Sequence, residues 1–351
     1  MTDLLALTEE LCAVPSVSGA EGPLADLVEA RLRTRASSLE ILRLGANVIA
    51  RTQRGCAQRI VLGGHLDTVP ANDNAVPRRD GDTLHGLGSA DMKGGLAVLL
   101  ELAESLPNGS GSRDVTLVFY DGEEVADEHN GLRRLFAERP DLVSADLAIL
   151  LEPTGGWIEA GCQGTIHARV TFHGIRAHSA RPWMGKNAVH NAAPMLARIA
   201  AHEAATVTVD GLAYRESLQV VRIAAGVANN VIPDRCDVVV NRRYAPACSF
   251  GDAQAQTRAL FHDADEVEII SASPAAAPNL THPLIVELIN TADLSVRPKL
   301  GWTDVARFTE HGIAAANFGP GDPELAHTTD ERVERSDLEH CLAVLSKFTA
   351  A

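Results

Sequence analysis

Apolar residues recur at helical spacing at the start of the chain, where Leu4, Leu7 and Leu11 share a face before Pro15 and the Ser16-Val17-Ser18-Gly19 turn stop the helix. Leu24, Leu27, Val28 and Leu32 mark a second helical face. The pattern then alternates. Residues 59–64 form the run of a buried strand, apolar from Ile60 onward, and Leu96, Leu99, Leu100 and Ala103 line a helix. Residues 115–120 read as another strand, 132–136 lie in a helical stretch, and 147–151 form a third apolar strand. Buried strands separated by helices predict an α/β sandwich with a largely parallel sheet.

From about residue 165 the texture changes. Ile166, Ala168, Val170 and Phe172 alternate with polar neighbours, as do residues 218–223 and 236–242, which is the period of strands with one wet face. Residues 187–202 read as a helix that Pro194 should kink, 252–261 as a second helix and 267–270 as a short strand. The Ala- and Pro-rich segment 271–278 leads back to α/β texture, with a strand at 314–318. A last helix is opened by a Ser336 and Glu339 capping box and buries Leu338, Leu342 and Leu345. The expected fold is α/β: an α/β/α sandwich made of residues 1–164 and 276–351, with a smaller α+β domain, residues 165–275, inserted into it.

A chain of 351 residues exceeds what one hydrophobic core usually serves, in keeping with two domains. Its formal charge of −15 argues against nucleic-acid or anionic-membrane partners. The six cysteines are scattered without a Cys-x-x-Cys pair, so neither a disulfide framework nor a thiolate metal site is expected. Met1-Thr2-Asp3-Leu4-Leu5 is acidic and leads straight into a helix, and no apolar run reaches membrane-spanning length. These features predict a reduced, soluble, cytoplasmic protein.

Five short segments carry the candidate chemistry: His65-Leu66-Asp67, Gly88-Ser89-Ala90-Asp91-Met92-Lys93-Gly94, Asp121-Gly122-Glu123-Glu124, Leu151-Glu152-Pro153 and Ala326-His327-Thr328. Histidines and carboxylates without cysteine are the ligand chemistry of a hydrolytic zinc site. His65, residues 121–124 and Glu152 each follow a predicted buried strand, and open α/β sheets gather ligands at those carboxyl ends. Asp67, two residues beyond His65, is placed to hold the imidazole's other nitrogen. Asp91 sits in a Gly-rich turn, and its two oxygens can bridge two cations. Glu123 and Glu124 face different ways, so one can bind metal while its neighbour serves as base. Two divalent cations would be neutralised by Asp91, Glu124, Glu152 and one bridging hydroxide, a cluster suited to amide hydrolysis.

In order and wording these segments resemble the co-catalytic zinc aminoacylase and carboxypeptidase family, which includes desuccinylases, deacetylases and dipeptidases. The resemblance covers nearly the whole chain. Tyr120-Asp121-Gly122-Glu123-Glu124-Val125, Gly161-Cys162-Gln163-Gly164-Thr165 and Leu300-Gly301-Trp302-Thr303-Asp304 look most like the actinobacterial-type desuccinylases.

The resemblance implies two Zn2+ ions, with Co2+ or Mn2+ as substitutes. One would be bound by His65, Asp91 and Glu152, the other by Asp91, Glu124 and His327. Asp67 would orient His65, Glu123 would deprotonate the bridging water, and the Asp91-Met92 peptide would be cis. The sandwich would be the zinc catalytic domain and the insertion a lid and dimerisation domain. There His178, reaching the partner subunit's site in a homodimer, would stabilise the oxyanion, while Asn230, Arg243 and Thr303 would bind substrate. The Gly161-Cys162-Gln163-Gly164 segment lacks the arginine many relatives carry there, leaving Arg176 and Arg181 as cations for a succinyl group. The implied reaction is hydrolysis of N-succinyl-L,L-diaminopimelate. Another N-acyl amino acid deacylase, a dipeptidase, and a relative that binds metal or peptide without hydrolysis are the alternatives. His85, His129, His167, His173 and His190 have no motif support and read as structural or surface residues.

Overall fold

The Asp114–Tyr120 strand is buried along its whole length, as is Leu147–Leu150, and this two-sided burial explains why their sequences are apolar runs and not alternations. The structure, a computed structural model, describes residues 3–106 and 111–350. Met1 and Thr2 of the acidic N-terminal segment lie outside the described residues. The chain divides into two compact units, one of Met1–Ala160, Pro278–Arg297 and Arg307–Ala351, the other of Gly161–Ala277 and Pro298–Ala306.

The first unit is built on an eight-stranded sheet. Its four central strands, Asp114–Tyr120, Arg59–His65, Leu147–Leu150 and Ala314–Asn317, are mutually parallel in that spatial order. Antiparallel partners flank them, Asn47–Arg51 and then Glu40–Leu44 on one side and Ile158–Ala160 on the other, and Val296–Pro298 follows Ile158–Ala160 as the eighth strand. The sheet is thus mixed, and the parallel character expected of most of it is concentrated in its centre. The Glu40–Leu44 and Asn47–Arg51 hairpin was not expected; its five-residue strands are too short to display a clear period.

The helix Gly94–Ser105 is buried from Gly94 through Ala103, the mark of a helix packed on all sides. Its first turn approaches the strand layer closely. A Cβ on Gly95 would lie 2.5 Å from the Leu151 carbonyl oxygen, so glycine is needed to bring Asp91 near Glu152. The final helix runs Arg335–Ala350, so Arg335, and not Ser336, opens it; the Arg335 N–H is taken by the Asp82 carbonyl at 2.8 Å, so the chain from elsewhere replaces the expected capping box.

The second unit is an antiparallel four-stranded sheet in the order Ser217–Ala225, Arg235–Tyr244, Gly164–His173, Glu266–Ser273, with helices Ala188–Ala200 and Phe250–Leu260. Val170, Phe172, Val238 and Val240 from the sheet pack with Ala192, Met195 and Ile199 from the first helix. That helix continues unbroken through Pro194. The proline is on the exposed side, where the carbonyl it leaves unbonded can meet water, and the packed face keeps the helix intact.

None of the six cysteines is in a disulfide. Among the described residues no helix is long and apolar enough to cross a membrane.

Candidate metal centre

The parallel strands deliver their carboxyl ends to one place. His65 is the last residue of Arg59–His65, residues 121–124 follow Asp114–Tyr120, and Glu152 follows Leu147–Leu150. Asp91 lies in the turn before Gly94–Ser105, entered through Gly88 at φ 79°, and the Asp91-Met92 peptide is cis. His327 follows the short helical turn Pro323–Leu325 and adopts a left-handed φ of 63°.

Within this unit ligand atoms of His65, Asp91 and Glu152 lie within 4.8 Å of one another, and so do those of Asp91, Glu124 and His327. Asp91 belongs to both groups. Its Oδ1 is 3.1 Å from His65 Nε2 and its Oδ2 3.5 Å from His327 Nε2, while Glu124 Oε1 is 2.7 Å from His327 Nε2. Glu123 shares a further group with His65 and Glu124.

The electrostatics favour positive charge here. Burial works against a charged His65, yet hydrogen bonds to Asp67 and Asp91 raise its pKa well above the usual histidine value. His327 is pushed up to about 10 by its bonds to Asp91 and Glu124. Desolvation of the partly buried Asp91 opposes its charge, but His327 and His65 beside it hold its carboxyl well below the ordinary range. A pocket of acids that draws protons onto two imidazoles attracts divalent cations for the same reason. Imidazole nitrogens and carboxylate oxygens without thiolate are donors that zinc, cobalt or manganese accept, so the residues present fit the metal.

Asp67 does something its spacing did not suggest. His65 Nδ1 donates to the main-chain oxygen of Asp67 at 3.0 Å and is 3.5 Å from the carboxylate, which leaves Nε2 facing Asp91. The carboxylate itself accepts the backbone N–H of Glu123 and of Glu124, both at 3.0 Å, and the Ser18 hydroxyl at 2.7 Å. Burial opposes its charge, but these bonds and His65 lower its pKa to about 2.

Sequence reasoning missed Ser18, which reads as part of a helix-stopping turn, and Glu331, which is buried four residues after His327. Glu331 accepts the N–H groups of Ala90 and Asp91, and burial pushes its carboxyl up to about 7 against those bonds. An acid this close to a candidate ligand was the available signal.

His178, Asn230, Arg243 and Thr303 belong to the second unit. His178 pairs with Val231 across a two-residue ladder, and the Ser179 N–H donates to the Asn230 carbonyl, so the two predicted residues share one tight structure. The Ala180 N–H donates to His178 Nδ1 at 3.0 Å, which leaves the neutral ring's proton on Nε2. Arg243 is half-buried on the Arg235–Tyr244 strand, where burial lowers its pKa, and among the described residues no acid pairs with it. Arg176 is held by Asp234 at 2.8 Å. Thr303 is buried, and its carbonyl accepts the Cys162 thiol at 3.7 Å.

Carboxylates and two imidazoles gathered near the carboxyl ends of the parallel central strands define a metal-dependent hydrolase. Residues 61–351 match the Peptidase family M20/M25/M40, and the chain belongs to that family. It is 48% identical over 347 residues to a Mycobacterium tuberculosis protein provisionally named succinyl-diaminopimelate desuccinylase, covering 99% of this chain and 98% of that one. It is 44% identical over 353 residues to the succinyl-diaminopimelate desuccinylase of Corynebacterium glutamicum, covering 99% and 96%. Among solved structures, an M20 family metallo-carboxypeptidase from Sulfolobus solfataricus superposes with a TM-score of 0.80 at 15% identity, over 100% of this chain and 99% of that one.

Proposed function

We propose that this chain is a dinuclear zinc amidohydrolase that cleaves N-succinyl-L,L-diaminopimelate to succinate and L,L-diaminopimelate. The observation that carries the dinuclear reading is the divided carboxylate of Asp91, one oxygen turned to His65 and the other to His327. His65, Asp91 and Glu152 would hold one ion, and Asp91, Glu124 and His327 the other. The substrate assignment is supported by the desuccinylase relatives that match nearly end to end.

Bound zinc supplies a Lewis acid that polarises the scissile carbonyl and makes water acidic near neutral pH. Glu123 takes the proton of the attacking water and returns it to the departing amine nitrogen. Asp67 sets the position of Glu123 through the backbone N–H it accepts. The partner subunit's His178 donates a hydrogen bond from its Nε2–H to the oxygen that gains negative charge and keeps its proton.

A half-buried guanidinium without an acid attracts a carboxylate, so Arg243 holds the substrate's carboxylate, with Asn230 and Thr303 beside the acyl group. For the succinyl end Arg181 is favoured over Arg176, which Asp234 already occupies. The homodimer reading is supported by the outer strand Ser217–Ala225, which exposes Val221 and Ile223, and by Val227 just beyond it.

Purified protein, with its zinc content measured, tests the reading on a panel of succinyl, acetyl and dipeptide substrates. Hydrolysis of the succinyl compound in preference to the others is expected, lost on chelation and restored by zinc. No turnover of it by zinc-replete protein would overturn the substrate assignment.

A further inference from the structure

The loop that carries His327 also carries Glu331, a carboxyl only 1% exposed that has no part in the chemistry above. Its Oε1 accepts two backbone N–H groups, from Ala90 at 3.1 Å and Asp91 at 3.0 Å. The main chain repeats the connection. The Gly86 N–H donates to the Glu331 carbonyl at 3.0 Å, and Arg332 then pairs with His85 in a short ladder. Asn74 closes the loop from a third side, its side-chain amide donating to the Thr328 carbonyl at 3.0 Å while its own carbonyl accepts the Leu87 N–H at 2.9 Å.

We infer that Glu331 is a positioning residue for the metal centre: it seats Asp91, the carboxylate common to both ligand groups, relative to His327 on its own loop. The inference rests on the metal-ligand reading proposed above. Buried N–H groups in a turn need acceptors, and a single carboxylate oxygen shared by consecutive N–H groups fixes the peptide planes on either side of it. Burying a carboxyl carries a desolvation cost that a neutral acceptor would avoid. Here the acid joins the segments that supply Asp91 and His327, which are 236 positions apart (327 − 91) and share no element. Displacement of Asp91 by a fraction of an ångström would disturb both ligand groups at once, because each uses one of its oxygens.

The experiment is calorimetric titration of zinc into metal-depleted wild-type, Glu331→Ala, Glu331→Asp and Glu331→Gln proteins, with thermal unfolding of each recorded without metal. Partners that orient metal ligands typically change affinity by about ten- to a hundredfold, and that loss is expected for the alanine and aspartate variants. Aspartate keeps the charge but is one methylene too short to reach both N–H groups, so it remains informative where alanine does not fold. Glutamine keeps an oxygen at the same distance and should bind zinc within about threefold of wild type, since two N–H bonds to an acyl oxygen survive. Wild-type zinc affinity in Glu331→Asp, even with a lowered unfolding temperature, overturns the inference and leaves a structural role. Asp91→Ala is titrated alongside. If Asp91→Ala binds zinc as wild type does, the metal centre itself is wrong; if only Asp91→Ala loses zinc, the metal centre stands and the role of Glu331 falls.

Discussion

The carboxylate of Asp67 accepts the backbone N–H of Glu123 at 3.0 Å. Its other oxygen holds the N–H of Glu124 and the Ser18 hydroxyl, while its main-chain oxygen takes the His65 ring nitrogen. One buried acid therefore sets the proposed base and two proposed ligands, although it lies only two residues from one of them. Its influence should appear in the geometry of catalysis before it appears in metal content.

Asp67→Asn tests that order. An amide offers one oxygen where the carboxylate offers two, so one of the Glu123 and Glu124 N–H groups loses its acceptor. Misplacement of a catalytic group by about 1 Å costs on the order of a hundredfold in rate, and a fall in kcat of that size is expected with zinc content near that of wild type. Steady-state kinetics and metal analysis on the same preparation check it. An unchanged kcat would sink the positional role.

Ser18 acts only through Asp67 in this arrangement. Ser18→Ala removes one hydrogen bond to a charged acceptor, worth about 1.5 kcal/mol or roughly tenfold in kcat if it is fully expressed in the rate. The sharper expectation is non-additivity: in an Asp67→Ala background the same change should cost almost nothing. Equal losses in both backgrounds would show that Ser18 works by another route.

Legibility in the sequence followed the reach of the interactions. His65, Glu124 and Glu152 could be placed because each ends or follows a buried strand, and the strands are visible as apolar runs. Ser18 and Glu331 could not, since their partners lie 49 and 240 residues away and no periodicity links them. Pro194 showed another limit: a local rule marks the missing N–H, while packing of Met195 and Ile199 decides that the helix continues past it. Asp67 was found by its spacing but given only part of its work, because spacing says which residues are neighbours and not which oxygen meets which N–H.

Acid should act on the amino end of the central strand Asp114–Tyr120 through Asp114. Burial opposes its charge, but bonds from the Thr52 hydroxyl at 2.6 Å and from the Arg54, Gly55 and Cys56 N–H groups outweigh that and lower its pKa in the folded chain. A lowered folded pKa gives stability that is present above the ordinary carboxylate range and is lost as pH falls through the folded value. Asp114→Asn should therefore cost about 2 kcal/mol at pH 7 and progressively less toward acid. Unfolding midpoints of the metal-depleted proteins along a pH series measure it; a gap that does not narrow in acid would contradict the assignment.

The proposed donation of His178 between subunits has a direct complementation test. Glu123→Ala should retain zinc and lose about two to four orders of magnitude in kcat, the usual contribution of a general base. His178→Ala should lose about two to three orders, as removal of an oxyanion donor does. If each site takes Glu123 from one subunit and His178 from the other, a dimer with one copy of each variant holds one site with both residues intact. Unfolding and refolding the two variants together at equal concentration should then restore about a quarter of wild-type activity, since half of randomly paired dimers are mixed and each has one good site. Refolding either variant alone should restore none. If the mixture stays as inactive as its parts while size measurements show mixed dimers, His178 serves the site of its own chain, and the dimer is not required for the reaction.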